Sequence, residues 1–227
     1  MASGSFLLDD LVVGTNKTFF ALQASSTGYG GSISPVGPVI VAPGSTNTFT
    51  ITSSNWYHVA SVLVDGESVG APGTYTFPNV QADHSIAANF AADLAANNTP
   101  KWWLYQANTN WSTNFDAAAL GDQDADGLLT WQEYITGTDP LNSASAFSLQ
   151  ASLTNGQLVV SFSTVATSAQ YGLQRHYAVE ASTNLAVPMW QGVPGITNVL
   201  GLGQTVAWTN SLPNPNTFFR GRVWLGP

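Results

Sequence analysis

Two dipeptides, Asp65-Gly66 and Asn155-Gly156, sit beside runs in which apolar and polar residues alternate. Such pairs accept the positive φ that a two-residue hairpin needs at both central positions, so each commits its flanks to antiparallel strands. Ahead of the first pair, Phe49 and Ile51 alternate with Thr48, Thr50 and Thr52, the signature of a strand with one buried face. Tyr57 and Val59 share a face, and Val62 and Val64 resume after a one-residue slip, which predicts a bulge or bend near Ala60-Ser61. Tyr75 and Phe77 make a later strand, and Ile86, Ala88 and Phe90 the last of this stretch. After Asn155-Gly156, the sets Leu158/Val160/Phe162, Tyr177/Val179/Ala181, Val206/Trp208 and Phe219/Val223/Leu225 repeat the pattern. Short strands at this spacing predict a β-sandwich. The fold class is therefore mainly β and multi-domain.

Composition narrows the setting. A chain of 227 residues suggests one to three domains. Charged residues make up only 8% against about 25% in a typical domain, and uncharged polar residues fill the gap. That surface suits a secreted β-rich module, extracellular or at the cell surface. The net charge is −8 and the only basic residues are Lys17, Lys101, Arg175, Arg220 and Arg222. No basic stripe exists to neutralise phosphates, so nucleic acid is excluded as a partner. No apolar run approaches the ~20 residues of a membrane span, so no membrane insertion is expected. The absence of cysteine excludes disulfides and thiolate chemistry, leaving a metal as the available brace.

The chain reads as four segments: 1–16, 17–92, 93–146 and 147–227. Residues Ser5 to Val13 form a strand-like run ending in a turn at Gly14, without the basic start, long apolar core and cleavage site of a signal peptide. The run reads as one orphan strand and resembles the last strand of jelly-roll domains in secreted lectins and glycan-active enzymes. It implies the end of a preceding domain, or a strand donated to a neighbour. In 17–92, Gly30-Gly31-Ser32-Ile33-Ser34-Pro35, Val39 to Gly44, Val62 to Gly66, Tyr75 to Val80 and His84 to Phe90 resemble the divergent internalin B-repeat family. That resemblance implies a small β-grasp-like module used as a spacer or adhesive repeat, with no catalytic residues. Residues Ala92 to Thr99 read as a polar linker. A helix-like run opens at Pro100, with Trp103 and Leu104 on one face, and a second runs from Phe115 to Leu120. In 147–227, Tyr177 to Leu185, Trp190 and Phe218 to Val223 resemble a fibronectin-like C-terminal module of secreted bacterial proteins.

The segment Asp122-Gln-Asp124-Ala-Asp126-Gly127-Leu128-Leu129-Thr130-Trp-Gln-Glu133 satisfies the EF-hand pattern at each required position. Calcium takes six to eight oxygen ligands in flexible geometry. Asp122, Asp124 and Asp126 supply carboxylates at loop positions 1, 3 and 5, and Gly127 permits the sharp turn at position 6. Leu128 offers a carbonyl at position 7, Thr130 occupies the often water-mediated position 9, and Glu133 closes the sphere at position 12. Charge statistics agree. Of thirteen acidic residues, Asp116, Asp122, Asp124, Asp126, Glu133 and Asp139 fall within one short segment, and crowded carboxylates repel without a cation. The competing reading is a solvated acidic turn in which Thr130 and Glu133 form a capping box. The following Glu133 to Pro140 resembles dockerin-like and thrombospondin type-three-like calcium motifs, where a short helix stops at Gly-Thr-Asp-Pro. Only one such loop is present, so it must lean on neighbouring structure, for which Trp102, Trp103 and Trp131 are available.

Catalysis finds little support. His58, His84 and His176 lie in no metal or nucleophile spacing, and Glu67 and Glu180 are the only glutamates outside the loop. Trp190 and Trp208 fit core positions of a sandwich. Alternation puts Arg220, Arg222 and Trp224 on one strand face, either as a ligand-binding surface or as a salt bridge to Glu180 over ordinary packing. The expectation is a non-catalytic extracellular structural or adhesive region, such as a surface-fibre or adhesin subunit, in which calcium rigidifies the junction of two β modules. Its partners are neighbouring modules or like subunits. The alternative is an accessory carbohydrate-binding region of a glycan-degrading enzyme, with glycans as the partner.

Overall fold

The computed structural model describes residues 18–27, 29–167, 173–211 and 216–227. The expected orphan strand, segment 1–16, lies outside them. The described chain is mainly β and falls into two compact units that divide at Ala91/Ala92.

Among its described residues the first unit holds eight strands: β1 (Phe20–Ser26), β2 (Gly31–Ser34), β3 (Gly37–Val41), β4 (Asn47–Ser53), β5 (Tyr57–Val64), β6 (Glu67–Ser68), β7 (Thr74–Phe77) and β8 (His84–Ala92). They form a five-stranded sheet, β3-β1-β8-β5-β6, and a three-stranded sheet, β2-β4-β7. Strand β1 runs parallel to β8, from Leu22↔His84 to Ser26↔Ala88. The alternating residues do what their period requires: Leu22, Phe49, Ile51, Phe77 and Ile86 are buried in one core, while Thr48, Thr50 and Thr52 face water. Asp65 and Gly66 take φ of 51° and 88°, turning β5 into β6. Strand β5 runs unbroken through Ala60-Ser61, where the bulge or bend is expected, and a bulge of that kind lies within a strand without ending it. The alternation of half-buried Tyr57 and Val59 with exposed His58 and Ala60 gives way to Ser61, Val62, Leu63 and Val64, which are all at least half-buried, so the buried phase changes where the sequence pattern slips.

The second unit begins where a linker was expected. Strands β9 (Leu94–Ala95) and β10 (Thr99–Pro100) pair as a minute hairpin, with Thr99 fully buried. The Ala96 amide donates to Asp116 Oδ1 at 2.8 Å, which draws this stretch onto the following helices. These are α1 (Lys101–Ala107), α2 (Phe115–Leu120) and α3 (Thr130–Thr136). The Asn114 side chain caps α2 by accepting from the Ala117 amide; Phe115, Ala118 and Ala119 are the buried residues of α2, and Leu104 that of α1.

The remaining strands are β11 (Gln150–Thr154), β12 (Gln157–Ser163), β13 (Gln174–Ser182), β14 (Gln191–Gly192), β15 (Val199–Leu200), β16 (Thr205–Ser211) and β17 (Phe218–Gly226). They make one sheet ordered β11-β12-β16 and a second in which β13 pairs with β14, β15 and β17. Val160, Phe162, Tyr177, Val179, Val193 and Ile196 form the core of this sandwich-like arrangement. Gly221 on β17 is required by a close approach: a Cβ there would sit 2.4 Å from the Phe147 ring. Trp208 packs on this core beside Phe219, as its phase predicts. Trp190 does not. It is half-buried outside the core cluster, with the Arg220 guanidinium 4.4 Å above its ring, so the expected core role is corrected.

Candidate metal centre

The acidic loop joins α2 to α3 and is folded by its own side chains. The Asp126 amide donates to Asp124 Oδ1 (3.2 Å), the Gly127 amide to Asp122 Oδ2 (3.0 Å) and the Leu128 amide to Asp126 Oδ1 (2.7 Å). These local bonds suit aspartate at alternate positions of a tight turn. Ala125 and Gly127 lie in the left-handed region at φ of 62° and 93°, and Gly127 meets that demand without steric cost. One carboxylate oxygen from each of Asp122, Asp124 and Asp126 converges so that all three lie within 4.8 Å of one another.

Both ends of the loop are fastened. The Thr130 amide and hydroxyl donate to the Gly121 carbonyl at 2.8 and 3.1 Å, and Thr130 is fully buried. Thr130 thus shuts the loop through its hydroxyl proton. Leu128 is half-buried, with its amide committed to Asp126. The capping-box reading does not describe this helix start. Gln132 Oε1 accepts from the Leu129 amide at 2.8 Å, while Glu133 turns away towards Thr138.

Glu133 is the residue that needs a further partner. It is fully buried, and its Oε1 receives only a long 3.4 Å bond from the Thr138 hydroxyl. Its Oε2 has no hydrogen-bond partner, and neither do the buried Oδ2 atoms of Asp124 and Asp126. Burial first, then the charges of Asp124, Asp126 and Asp122, push the Glu133 pKa up to about 7. Three unsatisfied buried carboxylate oxygens in one neighbourhood run against the rule that buried charge is paired or bound to metal. An oxygen-only donor set of this kind could hold a hard metal cation. Asp116 and Asp139 stand apart: Asp116 accepts from the Ala96 amide, and Asp139 from the Leu141 amide.

The neighbouring structure on which this lone loop leans is built around Arg175 of β13. Arg175 as a whole is only 6% exposed, and its guanidinium donates to the carbonyls of Ile135 (Nε, 2.6 Å), Tyr134 (Nη2, 3.1 Å) and Val165 (Nη1, 3.2 Å). The side chain therefore ties the last turn of α3 to the sandwich, where helix carbonyls lack intrahelical donors. Gly137 ends α3 at φ 79°, and its amide donates to the Glu133 carbonyl at 2.7 Å. Burial lowers the Arg175 pKa below the ordinary guanidinium value, opposed by Tyr177 and Tyr134. Sequence reasoning missed this residue. Its signal was phase: Arg175 shares the inward register of Tyr177 and Val179.

The face carrying Arg220, Arg222 and Trp224 is internally paired. Glu180 receives Arg220 at 2.7 Å and Arg222 at 3.2 Å. Arg222 also lies 5.5 Å from the Trp224 ring, which stacks on His176 with centroids 5.5 Å apart. The structure thus brings together the salt bridge and packing that formed the plainer reading of this face.

Comparison with family models, with curated proteins and with solved structures finds no match to this chain. No helix among the described residues is long and apolar enough to cross a membrane.

Proposed function

We propose that this chain is a calcium-braced, non-catalytic region of an extracellular or cell-surface protein. Asp122, Asp124, Asp126 and Glu133 hold the ion in this reading, with the Leu128 carbonyl and Thr130 at the remaining loop positions. The single observation that carries it is the buried, unpartnered Oε2 of Glu133 beside three convergent aspartates. Calcium offsets the mutual repulsion of four carboxylates and fixes the helix whose far end Arg175 grips. The ion's work is then mechanical: it stiffens the helical segment against the C-terminal strands, so that the unit transmits force or holds a neighbouring module or like subunit in place. The B-repeat-like, β-grasp-like character of the first unit and the fibronectin-like character of the second belong to this same reading. Affinity in the extracellular class, ~10⁻⁴–10⁻³ M, is enough where calcium is millimolar.

Titration calorimetry and thermal melting in calcium, magnesium and chelator test this. Calcium should bind once and raise the melting temperature, and Glu133→Gln should weaken the binding at least about tenfold and shrink the melting shift with it. A melting curve unchanged between calcium and chelator, with no heat of binding, would overturn the reading.

A further inference from the structure

Beside α3, within the second unit, lies a cavity of about 400 Å³. Trp102 and Trp103 of α1 and Tyr134 of α3 contribute aromatic walls, and Gln106, Thr167 and Arg175 contribute polar groups. Its size falls within the range of about 300–1,000 Å³ usual for small-molecule clefts, and so does its composition of aromatic surface with a few polar groups. Trp103 is held edge-on to Tyr134, with centroids 5.3 Å apart at 61°, so part of the wall is pre-positioned.

Arg175 is the informative member. Three carbonyls take three of its five N–H donors, the Tyr177 hydroxyl is a further hydrogen-bond partner, and none of these groups carries a formal charge at neutral pH. Among the described residues, no carboxylate forms an ion pair with it. The chain has three arginines, and the other two share Glu180. A buried guanidinium lining an open cavity without an anion favours an anionic occupant, and a carboxylate is the small anion whose geometry it matches. The rest of the wall narrows the class. Aromatic faces suit the C–H faces of a pyranose ring, while Gln106 and Thr167 suit its hydroxyls. We propose that this cavity binds a uronic acid unit of an acidic glycan, with Arg175 reading the carboxylate and Trp102, Trp103 and Tyr134 holding the ring. The site is distinct from the calcium loop, and its occupant is a ligand rather than a structural ion.

The full chain, in saturating calcium, is titrated with galacturonic acid, with short oligogalacturonates, and with the same oligomers as methyl esters. Readouts are calorimetry and the indole N–H signals of Trp102 and Trp103. The acid should bind at least about tenfold more tightly than its ester, perturbing those two indoles, and exposed Gln106→Ala should weaken binding without changing the melting temperature. Binding by the oligomer alone would place the site within a polymer chain, and binding by the monomer too would make the single sugar sufficient; both support the proposal. Equal affinity for acid and ester, no uptake of any uronate, or shifts confined to other tryptophans would overturn it. The acid–ester comparison uses unaltered protein, so it stands even if an Arg175 variant fails to fold.

Discussion

The guanidinium of Arg175 lies against the Cα of Gly137: a Cβ on Gly137 would be 2.7 Å from Arg175 Cζ and from Nη1. Gly137 therefore meets two demands at once, the left-handed turn that ends α3 and the space through which β13 grips the helix. Gly137→Ala should cost about 1–2 kcal/mol for the backbone alone, and more for displacing Arg175. Gly156→Ala is the matched control, because its φ is 73° but its Cβ would meet open space. Urea unfolding of both variants should show Gly137→Ala as the more damaging, and equal losses would mean that Arg175 is not held as described.

Replacing Arg175 itself tests the grip directly. Arg175→Met leaves the Ile135, Tyr134 and Val165 carbonyls without their donor, and bonds to charged groups are worth roughly 1.5–3 kcal/mol each before the stem's packing is recovered. Arg175→Lys should fall between, since one ammonium cannot span three carbonyls. Denaturant curves followed by tryptophan fluorescence should give the order wild type, Lys, Met.

The buried Glu133 predicts opposite responses with and without metal. Without metal its folded pKa, about 7, lies above the ordinary glutamate value of 4.5. The folded state then binds more protons between those values, so stability should fall as pH rises through that window and level off above it. Glu133→Gln should flatten this slope in chelator and stabilise the metal-free protein at neutral pH. In calcium the same substitution should weaken binding at least about tenfold, because a charged, two-oxygen ligand is lost. A variant that melts lower in chelator would contradict the unpartnered carboxylate.

Glu180 has the reverse sign and a small amplitude. Burial raises its pKa, but hydrogen bonds from Arg220 and Arg222 outweigh that and leave it below the usual value. Its stabilisation is present above the ordinary glutamate pKa and is lost as pH falls through the lowered one. Both arginines are substantially exposed, so Glu180→Gln should cost under about 1 kcal/mol, and the loss should shrink in high salt.

Much of the local architecture was legible because it is written at short range. The Asp65-Gly66 and Asn155-Gly156 turns and the second helix from Phe115 to Leu120 depend on one or two residues or on a simple period. The three loop aspartates converge for the same reason, since turn geometry fixes neighbours within five residues. The stretch from Ala92 to Thr99 is ordered where a linker is expected, and nothing local in the sequence marks it. Its order comes from Asp116, twenty residues away, and from the burial of Thr99.

The sequence by itself determined the strand periods, the hairpin turns and a spacing of carboxylates suited to a hard cation. Only the tertiary structure decided that Glu133 is sealed from water with one oxygen unsatisfied, and that Arg175 crosses from a strand to hold the end of its helix. The reason is range. Period and turn propensity act between adjacent residues, whereas desolvation of a carboxylate and capture of a helix end depend on what distant segments pack against them. Arg175 lies 40 residues from Ile135, too far for any local pattern to pair the two.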